Sequence, residues 1–254
     1  MGQTVKLDVE NGVARIRLAR PPLNVLDIAT MGQLEAHVRS LSASDAHVVL
    51  LGAQGKAFCA GVDVADHTPD KVDEMIHTFH GVLRALWALP QPILAVVGGA
   101  ALGGGMELAL GCDIILASSS ATFGQPEVKV GVFPPIAALL LPQLLSRQAA
   151  LECVLLGETW SAGRAHELGL VNAVVTPEQL ERTAQVWVGR LRSLSAPVLR
   201  LAKKATLIGW DQAALDERLE RVESLYLKDL MKLEDVHEGL SAFVEKRQPR
   251  WTGR

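Results

Sequence analysis

Three consecutive glycines precede a glutamate in residues 100–108. The glycines 103–105 follow the apolar run 93–97, and Glu107 lies at the start of a helix-like stretch. Glycine lets the backbone approach a ligand closely, and free amide groups at the start of a helix favour negative charge. The segment could therefore bring backbone N–H groups and a carboxylate to one small volume, although a tight structural turn has the same signature.

A second loop, residues 55–63, follows the apolar run 48–52. Since each loop leaves a predicted strand through small residues, the two could face each other and offer one N–H group apiece to a single oxygen. Donors aimed in advance at an oxyanion contribute about 3 to 4 kcal/mol each in catalysis. Two unrelated strand-exit turns are the alternative. Neither phosphate-binding motif fits, because no Gly-Lys-Ser/Thr follows and Leu108 replaces the last glycine of G-x-G-x-x-G.

Two glutamates stand close to apolar residues. Glu107 lies between Met106 and Leu108, and Glu127 follows Pro126. A carboxylate in apolar surroundings needs a partner or has a shifted pKa, and two such groups in one pocket can divide the acid and base roles. Spacing alone also leaves open that they are two unrelated surface residues.

Other catalytic schemes find little support in the sequence. No G-x-S-x-G segment is present, and no histidine stands at metal-ligand spacing with a second ligand. His77 and His80 are expected to be partly exposed on one helix face, and His67 is an outside candidate for lining a pocket. Neither a metal nor a separate cofactor is expected. The three cysteines, which lack a C-x-x-C pair, are predicted to be small core residues: Cys59, Cys112 and Cys153.

The composition is that of an ordered globular protein. Of the 254 residues, 49% are hydrophobic and 21% are charged, and the formal net charge is −3. The basic residues are dispersed, which argues against nucleic acid or an anionic membrane as a partner. No apolar run approaches the roughly 20 residues that cross a bilayer, and the first ten residues lack a signal-peptide core. The sequence therefore predicts a cytoplasmic protein.

The hydrophobic pattern predicts an α/β fold. Residues 5–9 and 13–18 alternate around Asn11-Gly12, which indicates a β-hairpin. Short apolar runs at 48–52, 93–98 and 114–118 are typical of strands buried on both faces, so helices are expected to cover the sheet. A core of residues 1–194 and a helical region of residues 195–254 are predicted. The predicted helices span 28–41, 68–89, 136–145, 147–156, 161–168, 177–194, 197–209 and 212–246, with one late strand at 171–175.

The two loops, together with the Phe-Gly-Gln-Pro-Glu segment 123–127, resemble the crotonase (enoyl-CoA hydratase/isomerase) superfamily. Residues 56–63, Lys-Ala-Phe-Cys-Ala-Gly-Val-Asp, match its first oxyanion loop, and 101–107, Ala-Leu-Gly-Gly-Gly-Met-Glu, match its second. The resemblance runs to residues 241–247 and implies a repeated ββα core, the ClpP/crotonase fold, with a C-terminal helical region that forms trimers.

The same resemblance implies a site and a reaction. The N–H groups of Val62 and Gly104 would hold the enolate of an acyl-CoA thioester. Two glutamates, here Glu107 and Glu127, favour addition or removal of water, with their division of labour left open. The assembly would be a trimer or a dimer of trimers. The residues implied to contact the substrate are Asn24, Val25, Ala60, Asp63, Phe133, Pro134, Phe243 and Lys246.

One segment departs from typical enoyl-CoA hydratases. These carry a Pro-Gly-Ala-Gly-Gly-Thr-like run after the second glutamate, whereas residues 132–138 are Val-Phe-Pro-Pro-Ile-Ala-Ala. With residues 20–27 and 61–68, this segment is most similar to the branch that hydrates cyclohexa-1,5-diene-1-carbonyl-CoA in anaerobic aromatic degradation. The implied product is a 6-hydroxycyclohexene-1-carbonyl-CoA. A short-chain enoyl-CoA hydratase and a non-catalytic CoA- or RNA-binding protein of the same fold are the alternatives.

Overall fold

The computed structural model describes residues 2–208 and 212–254. Its strands are β1 (Val5–Glu10), β2 (Val13–Leu18), β3 (Val48–Ala53), β4 (Ile93–Val97), β5 (Ala101–Leu102), β6 (Ile114–Ser118), β7 (Thr122–Gly124), β8 (Thr159–Ser161) and β9 (Ala173–Val175). Its helices are α1 (Ile28–Ser40), α2 (Val72–Ala88), α3 (Gly104–Leu110), α4 (Pro135–Leu144), α5 (Arg147–Leu156), α6 (Ala162–Glu167), α7 (Pro177–Arg192), α8 (Ala196–Leu207), α9 (Gln212–Ser224) and α10 (Glu234–Val244). None of the helices in the described ranges is long and apolar enough to cross a membrane.

The larger sheet has six strands in the order β1-β2-β3-β4-β6-β9. Strands β1 and β2 pair antiparallel around Asn11-Gly12, as the hairpin signal predicts, and every other pair in this sheet is parallel. A three-stranded sheet, β5-β7-β8, stands beside it. The three continuous apolar runs of the sequence are neighbouring strands of the larger sheet, β3, β4 and β6, which confirms that prediction.

Both faces of the central strands are covered. Val49 and Leu51 of β3 belong to the main hydrophobic core, to which α1 and α2 contribute, whereas Val48 and Leu50 pack with Leu180 and other residues of α7 on the opposite face. Because alternate residues of a strand point to opposite faces, burial on both faces requires an uninterrupted apolar run. The α/β class with helices on the sheet is therefore observed as expected.

The prediction of one helix over residues 212–246 is wrong. Helix α9 ends at Ser224 and is followed by a π-helical turn, Leu225–Asp229, a short 3₁₀ turn and then α10. Leu233 adopts an extended conformation, with φ −73° and ψ 135°, which ends the helical path. The break lets α10 pack against the turn Pro126–Val130. Gly239 allows this approach, because a side chain there would overlap the carbonyl of Val130.

Candidate active site

The two glycine-containing loops meet beside the end of the central strands. Backbone bonds join them, since the N–H of Cys59 donates to the carbonyl of Ala100 at 3.0 Å and the N–H of Leu102 donates to the carbonyl of Cys59 at 2.9 Å. A side chain at Gly105 would overlap the backbone of Cys59, so glycine is needed for this close contact. The first loop is thereby fixed against the start of α3.

Two backbone amides, those of Val62 and Gly104, lie close to each other where the loops meet. A Cβ atom added to Gly104 would lie 3.4 Å from the amide nitrogen of Val62 and 2.8 Å from its Cγ2 atom. Neither the N–H of Val62 nor that of Gly104 has a hydrogen-bond acceptor among the residues that the structure describes. Two neighbouring N–H donors without acceptors can together bind one oxygen that carries negative charge, if both point toward it.

Glu107 lies in the first turn of α3 and is only 2% exposed. Its Oε1 atom accepts a hydrogen bond of 2.8 Å from the N–H of Ala137, in the first turn of α4. Pro135 occupies the first position of α4, where a missing N–H costs nothing and the fixed φ suits a helix. Burial raises the pKa of Glu107 to about 7, although the amides of Ala137 and Ile136 favour its charged form.

Glu127 lies in the 3₁₀ turn Pro126–Val130 and is partly buried. A side chain at Gly103, where φ is +53°, would overlap its Oε1 atom, so glycine also allows this approach. The side-chain nitrogen of Gln125, when oriented to donate, lies 3.1 Å from Oε2 and 3.2 Å from Oε1 of Glu127. Burial, followed by the charge of Glu107, raises the pKa of Glu127 well above its ordinary value.

A cavity of about 790 Å³ unites these groups. Its lining includes Val62, Gly104, Glu107 and Glu127, so both carboxylates and both free amides border the same space. A volume of this size accommodates a small organic ligand. Of the implied substrate-contacting residues, Ala60, Phe133 and Phe243 also line it, whereas the following do not: Asn24, Val25, Asp63, Pro134 and Lys246.

The family model described as enoyl-CoA hydratase/isomerase matches residues 8–254. The chain belongs to this crotonase family. Among its relatives is the cyclohexa-1,5-dienecarbonyl-CoA hydratase of Thauera aromatica, which is 36% identical over 98% of this chain and 96% of that protein. A probable enoyl-CoA hydratase of Rhizobium meliloti is 35% identical over 99% of both chains. The crystal structure of a carnitinyl-CoA hydratase from Mycobacterium avium has a TM-score of 0.89 at 30% identity, over all of both chains.

Asn24 has a structural task in this crotonase-family chain. It is 1% exposed and has a φ of +51°, which asparagine tolerates better than most residues. Its side-chain oxygen accepts from the N–H of Arg20 at 2.9 Å, and its nitrogen donates to the carbonyls of Gln54 and Ala57 at 2.8 Å each. The Asn24 side chain therefore holds residues 20–24 against the first loop, and only the backbone of Asn24 is left to meet a ligand.

Asp63, Pro134 and Lys246 lie close to the cavity without bordering it. The Asp63 side chain accepts from the N–H of Ala65 at 3.1 Å and caps the turn Val64–Asp66. Pro134 precedes the first residue of α4, and Lys246 follows α10 as an exposed residue with a φ of +55°.

Polar residues beyond the glutamates also border the cavity, and among them are His67, His80 and Tyr226. His67 was expected as an outside candidate. The prediction of partial exposure is correct for His77 and wrong for His80, which is fully buried because Glu223 of α9 packs on it. Tyr226 was missed altogether, and the sole hint in the sequence is that it is the chain's one tyrosine.

Proposed function

We propose that the chain is a hydro-lyase that adds water to a conjugated enoyl-CoA thioester. One observation carries the proposal: a single cavity is bordered by the buried Glu107, by the partly buried Glu127 and by two backbone amides that have no acceptor among the described residues. The amides provide a place for an oxygen that becomes negative, and the carboxylates provide a place for water and its protons. These are the two requirements of adding water to a carbon–carbon double bond conjugated to a carbonyl.

The amides would bind the thioester carbonyl oxygen. When water attacks the conjugated carbon, the electron pair of the double bond moves toward the carbonyl, and its oxygen becomes an enolate oxygen. The N–H groups of Val62 and Gly104 stabilise that charge without moving, because the loops are already joined by the backbone bonds at Cys59. Removing one such donor typically lowers kcat by about 100- to 1000-fold.

The glutamates would share one proton between them. Negative charge is better stabilised on Glu107, whose carboxylate accepts from the N–H of Ala137, and Glu127 then keeps the proton. Glu107 takes a proton from water as the water oxygen bonds to the substrate, and Glu127 gives its proton to the enolate carbon. The proton gained by Glu107 passes to Glu127 before the next turnover, so the net change is addition of H and OH.

We assign a cyclic dienoyl-CoA as the substrate, cyclohexa-1,5-diene-1-carbonyl-CoA, with a 6-hydroxycyclohexene-1-carbonyl-CoA as the product. The acyl side of the cavity is bordered by two aromatic rings, Phe133 and Tyr226, which offer flat apolar surfaces to a ring. Phe133 belongs to the segment 132–136, which departs from the common sequence of the family. The relative from Thauera aromatica, named for hydration of this dienoyl-CoA, is 36% identical. A role in aromatic degradation follows from this assignment.

The CoA portion would leave the cavity along the C-terminal residues. Phe243 is 55% exposed although it borders the cavity, and Lys246 lies within one turn of it, where its ammonium group can approach phosphates. The loops on the other side of the cavity carry Ala60, Asp63 and the backbone of Asn24 and Val25. Coenzyme A is thus part of the substrate and no separate cofactor takes part. We place the reaction in the cytoplasm.

The test is hydration of two thioesters by the purified protein. We expect rapid loss of cyclohexa-1,5-diene-1-carbonyl-CoA and slower loss of crotonyl-CoA, both followed by chromatography of the CoA esters. Glu127→Gln keeps the shape of the side chain and should lower turnover by at least ~100-fold, with binding of CoA esters retained. Failure of the wild-type protein to hydrate either thioester, while it still binds CoA esters, would refute the hydratase assignment.

A short-chain enoyl-CoA hydratase is the second candidate, and the similarity to the Rhizobium meliloti relative favours it. The same assay separates the two, because this candidate prefers crotonyl-CoA. A non-catalytic CoA- or RNA-binding role is disfavoured by the two carboxylates in one cavity, because their removal from water costs folding free energy and their raised pKa values are typical of groups that act in catalysis.

We further propose that residues 195–254 form the contacts of a homotrimer, alone or paired into a hexamer. Helix α8 supports this proposal, because none of its residues is buried although its sequence is rich in apolar side chains. An apolar surface without a cover is typical of a protein–protein contact.

A further inference from the structure

Tyr226 lies at an irregular point of the C-terminal helical region. It is the second residue of the π-helical turn Leu225–Asp229 and is 1% exposed. It lines the same cavity as Glu107 and Glu127. Single π-helical turns inside helices occur often at functional sites, because the additional residue redirects the side chains of that turn.

The ring of Tyr226 is held by an aromatic contact. Its centroid is 5.2 Å from that of Phe133, and the planes meet at 71°, which is the edge-to-face arrangement that aromatic pairs prefer. Phe133 also borders the cavity. The contact therefore places Tyr226 on the acyl side of the proposed site.

The Tyr226 hydroxyl has no hydrogen-bond partner among the residues that the structure describes. Buried tyrosines usually pair their hydroxyl group, because an unpaired one loses its hydrogen bonds to water. The hydroxyl oxygen of Tyr226 is not completely enclosed by protein atoms, so it accounts for part of the small exposed area of this residue. Since the residue borders the cavity, the hydroxyl is left open to a ligand there.

The charges nearby keep this hydroxyl protonated. Burial, followed by the negative charges of Glu127 and Glu107, raises the pKa of Tyr226. The side chain is therefore a permanent hydrogen-bond donor close to two carboxylates. An ionised Glu107 only accepts hydrogen bonds, so the hydroxyl of Tyr226 offers a reacting oxygen a donor in addition to the protonated Glu127.

A buried anchor fixes the turn that carries Tyr226. Glu223, three residues earlier, accepts from Nδ1 of His80 at 2.6 Å and from Nη2 of Arg84 at 3.1 Å. Both partners lie on α2, and His80 itself lines the cavity. Residues three apart on a helix lie on the same face, so the anchor limits the movement of Tyr226 relative to the glutamates.

We propose that the hydroxyl of Tyr226 donates a hydrogen bond to the oxygen that hydration adds to the acyl group. The inference rests on the proposed function, in which that oxygen begins as water beside Glu107 and Glu127. Tyr226 is then a further catalytic residue, and it favours binding of the hydroxylated acyl-CoA over an acyl-CoA without this oxygen. No covalent step is added, because the phenol donates a hydrogen bond and keeps its proton.

The experiment compares Tyr226→Phe, which removes only the hydroxyl oxygen, with the wild-type protein. We expect KM for the hydroxyacyl-CoA to rise about fivefold in the dehydration direction, since a hydrogen bond contributes about 1 kcal/mol and each 1.4 kcal/mol is tenfold. The hydration kcat should fall by about tenfold or more, while the Kd of the saturated cyclohexanecarbonyl-CoA stays within about twofold. The matched variant Tyr226→Leu also loses the Phe133 contact and should weaken binding of both esters.

An equal effect of Tyr226→Phe on the hydroxylated and the saturated ester would assign a purely structural role and overturn the inference. The inference would also be overturned if Tyr226→Phe left the binding of both esters unchanged. If the wild-type protein hydrates no enoyl-CoA, the proposed function fails first. Calorimetric binding of the hydroxylated and saturated esters to the wild-type and Tyr226→Phe proteins then still decides whether Tyr226 recognises the added oxygen.

Discussion

A methyl group on Gly104 would occupy the space in which the two unpaired amides meet. It would lie 2.8 Å from Cγ2 and 3.4 Å from the amide nitrogen of Val62. We expect Gly104→Ala to lower kcat for hydration by at least ~100-fold, the usual scale for losing an oxyanion donor. Steady-state kinetics with a saturating enoyl-CoA provides the measurement.

Gly189→Ala is the matched control for this substitution. Gly189 lies within α7, and a Cβ atom there would meet no other atom within 4 Å. Alanine is the better helix former by up to about 1 kcal/mol, so this variant should keep full activity and an equal or higher Tm. Normal turnover in Gly104→Ala would remove the Gly104 amide from the proposed mechanism.

The pH dependence of kcat/KM reports the protonation states of Glu107 and Glu127. With its pKa raised to about 7 by burial, Glu107 becomes protonated as the pH falls below that value, and the pair then lacks a base. We expect kcat/KM to fall by about tenfold per pH unit below about pH 7, and to fall again where Glu127 loses its proton at higher pH. A kcat/KM that stays flat between about pH 5 and pH 8 would contradict the shared-proton mechanism.

The sequence predicted which residues belong to the site better than it predicted their relative positions in space. Residues 101–107 and 123–127 identify Glu107 and Glu127, but spacing alone does not place both at one cavity. The meeting of the two loops depends on the bonds between Cys59 and residues 100–102, which form only when the chain folds. Tyr226 has no local signal, since its burial depends on Phe133, ninety-three positions away along the printed sequence.

At the level of elements, the long apolar runs were the reliable signals. Strands β3, β4 and β6 are each five or six residues long and buried, so their pattern is uninterrupted. Strands β5, β7 and β8 have two or three residues, which is too short for any period to be recognised, and the sequence missed them. They pair only because folding brings the loop after β4 next to residues 122–124.

In the C-terminal region the sequence predicted too much regular structure. Its continuous helical period indicated one long helix, whereas the structure has an interruption. Residues 212–246 have apolar residues at helical spacing, yet the chain leaves the α-helix after Ser224 and resumes it at Glu234. The reason is tertiary: Glu223 pairs with His80, and Gly239 packs on Val130. Intrinsic helix propensity differs by only tenths of a kcal/mol for most residues, which such contacts easily exceed. The interruption places Tyr226 in the cavity.

On the scale of the whole molecule, α8 presents its apolar residues to the outside. Its basic side chains hold it to the core instead, since Arg200 donates to the carbonyl of Ala46 at 3.1 Å and Lys203 lies 2.6 Å from Oδ2 of Asp113. Val198 is 62% exposed and Leu201 is 66% exposed. This orientation leaves an apolar surface that another copy of the chain can cover, which is the physical basis of the proposed trimer.

Light scattering after size-exclusion chromatography tests this assembly. We expect a mass of about three or six times the 27.3 kDa of one chain. Val198→Glu combined with Leu201→Glu should lower that mass, because association would bury two carboxylates without partners. Val9→Glu replaces an exposed apolar residue outside residues 195–254, 53% exposed on β1, and should leave the mass unchanged. A wild-type mass of one chain, or an unchanged mass in the double variant, would argue against α8 as the contact surface.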